Sequence, residues 1–116
     1  MMEPSEHIKH AQALCQRLRN ASIQVGSRDR QRLVKGADPN EVKKIYTFLL
    51  KHRDLGKLKK LVEKLPNSTF ARRSGSTEGY YKNIQSALGT EFYRLDVKDA
   101  IFVLGWACRL LSDTSN

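Results

Sequence analysis

The sequence predicts an all-α protein, a single compact bundle of about five helices spanning residues 1–116. Three observations lead there. Apolar residues recur at spacings of three and four in successive stretches, the period of a helix with one buried face. No stretch sustains the period-two alternation or the Val/Ile/Thr-rich runs of a sheet. Asp, Pro and Gly stand where helices start and stop. With 116 residues and 40% hydrophobic positions, the chain can fill one modest core and not two.

From Ser5 the residues Ile8, Ala11, Leu14, Cys15, Leu18 and Ala21 share one helical face, and Gln12, Gln16, Arg17 and Asn20 fall on the others. This helix ends by Gly26, and Ser27 to Arg32 begins a basic connector or short helix that reaches Lys35 and Gly36. Asp38-Pro39-Asn40-Glu41 is the clearest start signal: an N-cap acceptor, proline at the first helical position, and an acid three residues after the cap. The helix it opens turns Val42, Ile45, Tyr46 and Leu49 inward and Lys44, Thr47 and Lys51 outward.

Asp54 caps the next helix, whose Leu55, Leu58, Leu61, Val62 and Leu65 form a stripe ended by Pro66. Lys57, Lys60 and Lys64 make a second stripe clear of that face. Residues 67–79, polar and glycine-bearing around Arg72 and Arg73, read as an exposed basic loop. A helix follows from Thr77 or Glu78 through Tyr81, Ile84 and Leu88, with Gly89 as its C′ residue. Glu91 to Leu95 reads as a short turn or an extended link. Asp96 caps a last helix, Val97 to about Leu111, that is apolar on nearly every side. Its broad inner face is Val97, Ala100, Ile101, Leu104, Ala107, Cys108 and Leu111. Phe102 and Trp106 lie on the other side, flanked by Asp99 and Arg109; an aromatic pair rimmed by charges is the expected centre of a protein interface, or is core if the first helix or the 67–79 loop folds over it.

The net charge of +9 is unevenly spread. Residues 1–26 contribute +1 and residues 83–116 contribute −1, so residues 27–82, with 15 basic and six acidic side chains, hold all of it. Concentrated positive charge attracts phosphate backbones, because neutralising each phosphate releases condensed counterions. The candidate nucleic-acid contacts are Arg28, Arg30, Arg32, Lys44, Lys51, Lys57, Lys60, Lys64, Arg72, Arg73 and Lys82, with Tyr80 beside Lys82 as a stacking platform for an unpaired base. No helix-turn-helix, zinc-finger or RNP-type signature accompanies them, so the expected contacts are to backbone and indifferent to sequence.

Nothing in the chain assembles a catalytic set, and no cofactor or metal is expected. His7 and His10, at the start of the first helix, read as solvated histidines, since Cys15 belongs to the core stripe and a fourth ligand is missing. His52 has no carboxylate placed to orient it and no nucleophile motif beside it. Gly75-Ser76-Thr77-Glu78-Gly79 lacks the GxxxxGK[ST] order of a phosphate loop. Cys15 and Cys108, far apart and both in apolar patterns, read as buried thiols. The longest apolar run, Ala100 to Cys108, is about half a membrane span. Glu3, Glu6, Lys9 and His10 stand where the apolar core of a signal peptide would begin. A soluble, cytoplasmic protein without a membrane partner is expected.

A short, basic, all-helical chain with lysine faces, a basic central loop and a very apolar last helix, here from Asp99 through Phe102, Trp106 and Arg109 to Leu111, resembles the small subunit of multisubunit CRISPR effector complexes of antiviral defence. In that family several copies stack beside the crRNA-bearing backbone and contact nucleic acid through basic surfaces without cleaving it. The resemblance implies such a role for Arg28, Arg30, Arg32, Lys60, Lys64, Arg72 and Arg73. It also implies crRNA, a target RNA or DNA strand, other effector subunits and copies of the chain itself as partners. The competing reading is a helical protein-interaction adaptor whose lysines meet an acidic partner instead of phosphate or form a solvated surface.

Overall fold

In the computed structural model, which describes residues 2–26, 29–68 and 75–113 and the side chains of all of them except 75 and 76, Asp38 and Asp54 open helices as their spacing predicts. The Asp38 carboxylate accepts from the Asn40 backbone N–H at 2.9 Å and the Asp54 carboxylate from that of Lys57 at 3.1 Å. The elements run α1 (Pro4–Asn20), β1 (Ser22–Val25), β2 (Arg32–Lys35), α2 (Pro39–His52), α3 (Leu55–Lys64), a 3₁₀ turn (Leu65–Asn67), α4 (Gly75–Leu88), a second 3₁₀ turn (Phe92–Arg94) and α5 (Val97–Asp113). Helix α1 lies along α5, and α2, α3 and α4 close the bundle around them. All nine side chains at the centre of the expected stripes, Leu14, Leu18, Ile45, Leu49, Leu58, Val62, Ile84, Leu104 and Leu111, are buried in one core. Gly89, with φ of 56°, follows α4 in the left-handed conformation that glycine adopts without steric cost.

The stretch expected as a connector or short helix is instead half of a β-hairpin. Strands β1 and β2 pair antiparallel with Ile23 opposite Val34 and Val25 opposite Arg32. That register puts Ile23, Val25 and Val34 on one face, while Leu33, on the other, is exposed. Two four-residue strands offer too little alternation to rise above a helical background.

The hairpin is seated on α4 by two devices. Gly79 leaves room for Val34, whose side chain lies 2.5 Å from where a Cβ would stand. Asn83, 1% exposed, donates from Nδ2 to Val34 O at 3.1 Å and to Gly36 O at 2.7 Å. Gly75 and Gly79 belong to a helix that starts two or three residues earlier than expected; residues 69–74, with Arg72 and Arg73 of the expected basic loop, lie outside the described set.

The first helix differs from expectation at its start. Its buried stripe is His7, Ala11, Leu14, Cys15 and Leu18, and Ile8 is exposed. His7 is not a solvated histidine: its Nε2 hydrogen-bonds Asp99 Oδ1 at 2.7 Å, and its ring stacks on Phe102 at 5.1 Å. Asp99, expected to flank the aromatic pair at the surface, is buried for the same reason. The hydrogen bond from His7 holds its carboxyl below the ordinary aspartate range against the opposing effect of burial. At the other end of α1, Arg17 donates from Nε to Ala87 O at 2.9 Å and Arg19 to Leu110 O at 3.1 Å, capping carbonyls in the last turns of α4 and α5.

Candidate nucleic-acid interface

Helix α3 is short, and its sequence divides it cleanly. Leu58 and Val62 are buried, Leu55 and Leu65 are half-buried against the core, and Leu61 is half-buried beside them. Lys57, Lys60 and Lys64 are exposed on the remaining surface, and no described carboxylate forms an ion pair with any of them. At 1.5 Å per residue the three span roughly 10 Å, about the rise of three phosphates along one strand of a duplex. Lys59, on the same helix, is turned aside: its ammonium stands 5.9 Å from the Tyr93 ring centroid. The Tyr93 hydroxyl is pushed up to about 12 by burial and by the charge of Glu63.

The other expected contacts are less uniform. On α2, Lys44 and Lys51 are exposed as predicted, but Lys44 is paired with Glu41 at 3.2 Å. Glu41, the acid of the start signal, does not reach back to the cap; it also accepts a hydrogen bond from the Tyr81 hydroxyl, whose pKa burial and the carboxylate raise well above its usual value. On α4, Lys82 pairs with Glu78 at 3.2 Å and Tyr80 is half-buried. Arg30 and Arg32 are exposed on the hairpin that packs against α4, so these four residues share one subassembly. Arg28, Arg72 and Arg73 lie outside the described residues.

Phe102, Trp106 and Arg109 lie exposed on the outer side of α5, and the first helix reaches only Phe102, through the His7 ring. Phe102 is 54% exposed and Trp106 37%, and the Arg109 guanidinium sits 5.3 Å from the Trp106 ring centroid. They line an open groove between α2 and α5 of about 890 Å³. Its α2 wall is Lys43, Tyr46, Leu50 and Arg53, three of which the sequence reading passed over, while Tyr46, expected inward, is only half-buried. The signal was present: positions 43, 46, 50 and 53 repeat at three and four along a helix whose core stripe is 42, 45 and 49.

Cys15 and Cys108 are both free and buried, and burial pushes the Cys108 thiol up to about 12. Among the described residues no three His, Cys, Asp or Glu side chains gather where they could hold a metal ion, and no helix is long and apolar enough to cross a membrane. No protein-family model, curated protein or solved structure matches the chain.

Proposed function

We propose that the chain is a non-catalytic subunit of a larger ribonucleoprotein that binds nucleic acid through its backbone, without regard to sequence. The observation that carries this is the exposed row of Lys57, Lys60 and Lys64, which no described carboxylate pairs, held on α3 by a capped N-terminus and a leucine face turned to the core. Arg17 and Arg19, by contrast, are spent on helix ends, which is consistent with the uneven charge along the chain having a use outside folding. The resemblance to CRISPR effector small subunits narrows the proposal to a protein that steadies a guide–target duplex or a displaced strand.

The test is binding of single- and double-stranded oligonucleotides of unrelated sequence across a salt series. Replacing Lys57, Lys60 and Lys64 with alanine should lower the slope of log K against log salt by about 2 to 3, three phosphate contacts at roughly 0.7 to 0.9 each. An unchanged affinity and slope would refute the assignment of this face. A helical adaptor is the second reading, favoured by the exposed Phe102 and Trp106. It predicts one protein partner and no retention of nucleic acid at physiological salt, whereas the first predicts co-purification with guide RNA and effector subunits.

A further inference from the structure

The groove between α2 and α5 is chemically unlike the α3 surface. Tyr46, Leu50, Phe102 and Trp106 supply large apolar groups along it, and Leu50 is 42% exposed there. Gly105 lets the walls converge: a Cβ at this position would stand 3.0 Å from the Tyr46 ring. Lys43, Arg53, Lys98 and Arg109 rim this surface, against one acid, Asp113. Arg53 is held at the rim by an unusual backbone. It terminates α2 in the left-handed conformation, φ 50° and ψ 41°, where glycine is the less strained choice.

We infer that this groove is the docking site for an acidic amphipathic helix of another protein. Charge decides the occupant. Four cations around an apolar trough are complementary to a helix whose apolar anchors are flanked by Asp or Glu. A second copy docking through the same groove about a two-fold axis would set these four cations against the same four. A stacked nucleobase is disfavoured because Trp106 is already engaged by the Arg109 guanidinium and Phe102 by the His7 ring. From Lys43 to Arg53 the wall runs about 15 Å, which matches roughly three turns of an occupying helix with anchors at i, i+3, i+4 and i+7. The site is independent of the nucleic-acid reading, since Lys57, Lys60 and Lys64 do not line it.

Trp106, the single tryptophan of the chain, reports on the groove directly. The probe is a synthetic helix of about 14 residues with Leu and Phe anchors at that spacing and Glu on both flanks; a second peptide carries Lys in place of every Glu. The acidic peptide should shift Trp106 emission to the blue and saturate, and the basic peptide should leave it unchanged. By anisotropy of a labelled acidic peptide, Trp106→Ala should weaken binding at least tenfold. Arg53→Glu combined with Lys98→Glu, both exposed and outside the core, should do the same without loss of helicity. The Lys57, Lys60 and Lys64 triple alanine variant should bind the peptide as the parent does. No response to the acidic peptide would overturn the inference. So would displacement of that peptide by a single-stranded oligonucleotide, or self-association in sedimentation that Trp106→Ala abolishes.

Discussion

Asn83→Ala removes the only side chain whose two hydrogen bonds tie α4 to the hairpin among the described residues, and its cost can be worked from the contacts. Two buried hydrogen bonds contribute about 0.5 to 1.5 kcal/mol each net of solvation, and leaving the buried Gly36 carbonyl without the amide adds a desolvation cost. The expected loss is about 2 to 4 kcal/mol. For a domain of this size that lowers the melting temperature by about 8 to 16 °C. Thermal and urea unfolding followed by circular dichroism give the total, and amide hydrogen exchange locates it. Protection should fall first at the paired backbone of β1 and β2, while α1 and α5 keep theirs. Asn83→Asp should be worse than alanine, because it turns a carboxylate oxygen toward two carbonyls. A loss below about 0.5 kcal/mol, or hairpin amides as protected as those of α5, would refute the view that Asn83 seats the hairpin.

At Gly79, alanine has no room because its Cβ would stand 2.5 Å from the Val34 Cβ, so Gly79→Ala should destabilise by about 1 to 3 kcal/mol, and only Val34→Gly, which removes that Cβ, should show compensating coupling in a double-mutant cycle. Asp99 has a folded pKa below its unfolded value, so its contribution is fully present above the ordinary aspartate range and disappears as pH falls through the folded value. Unfolding titrations should therefore show stability lost as pH falls below the ordinary aspartate range, with a shallower loss in Asp99→Asn. Cys108, with a thiol pushed up to about 12, should react slowly with iodoacetamide near pH 7.5 in the folded protein and much faster once unfolded in urea, read by peptide mass spectrometry.

What the sequence discloses is what lies close together along it. Asp38 and Asp54 act within three residues, and the stripe Leu58–Val62 against Lys57–Lys60–Lys64 is settled by helical period alone, so α2, α3 and the lysine row were legible. The groove was half legible: α5 displayed Phe102 and Trp106, but the α2 wall is more than 40 residues away and only the fold brings it opposite. His7 was misread because a polar residue occupies the first position of a buried stripe, and its partner is 92 residues distant. Gly79 looked like loop punctuation since a glycine that admits a neighbouring strand and one that makes a turn are the same letter. The hairpin strands are shorter than the window that separates alternation from chance.

The pairing of α1 with α5 sets a timetable for synthesis. Ala11, Leu14 and Leu18 emerge early, yet the helix that covers them, and the Leu110 carbonyl that Arg19 caps, emerge some ninety residues later. At about 5 to 20 residues per second, that interval leaves the apolar face of α1 uncovered for several seconds on the ribosome. Chains interrupted before Val97 would keep that face open, so release of incomplete product is a greater aggregation hazard for this topology than for one whose neighbouring helices pair in order.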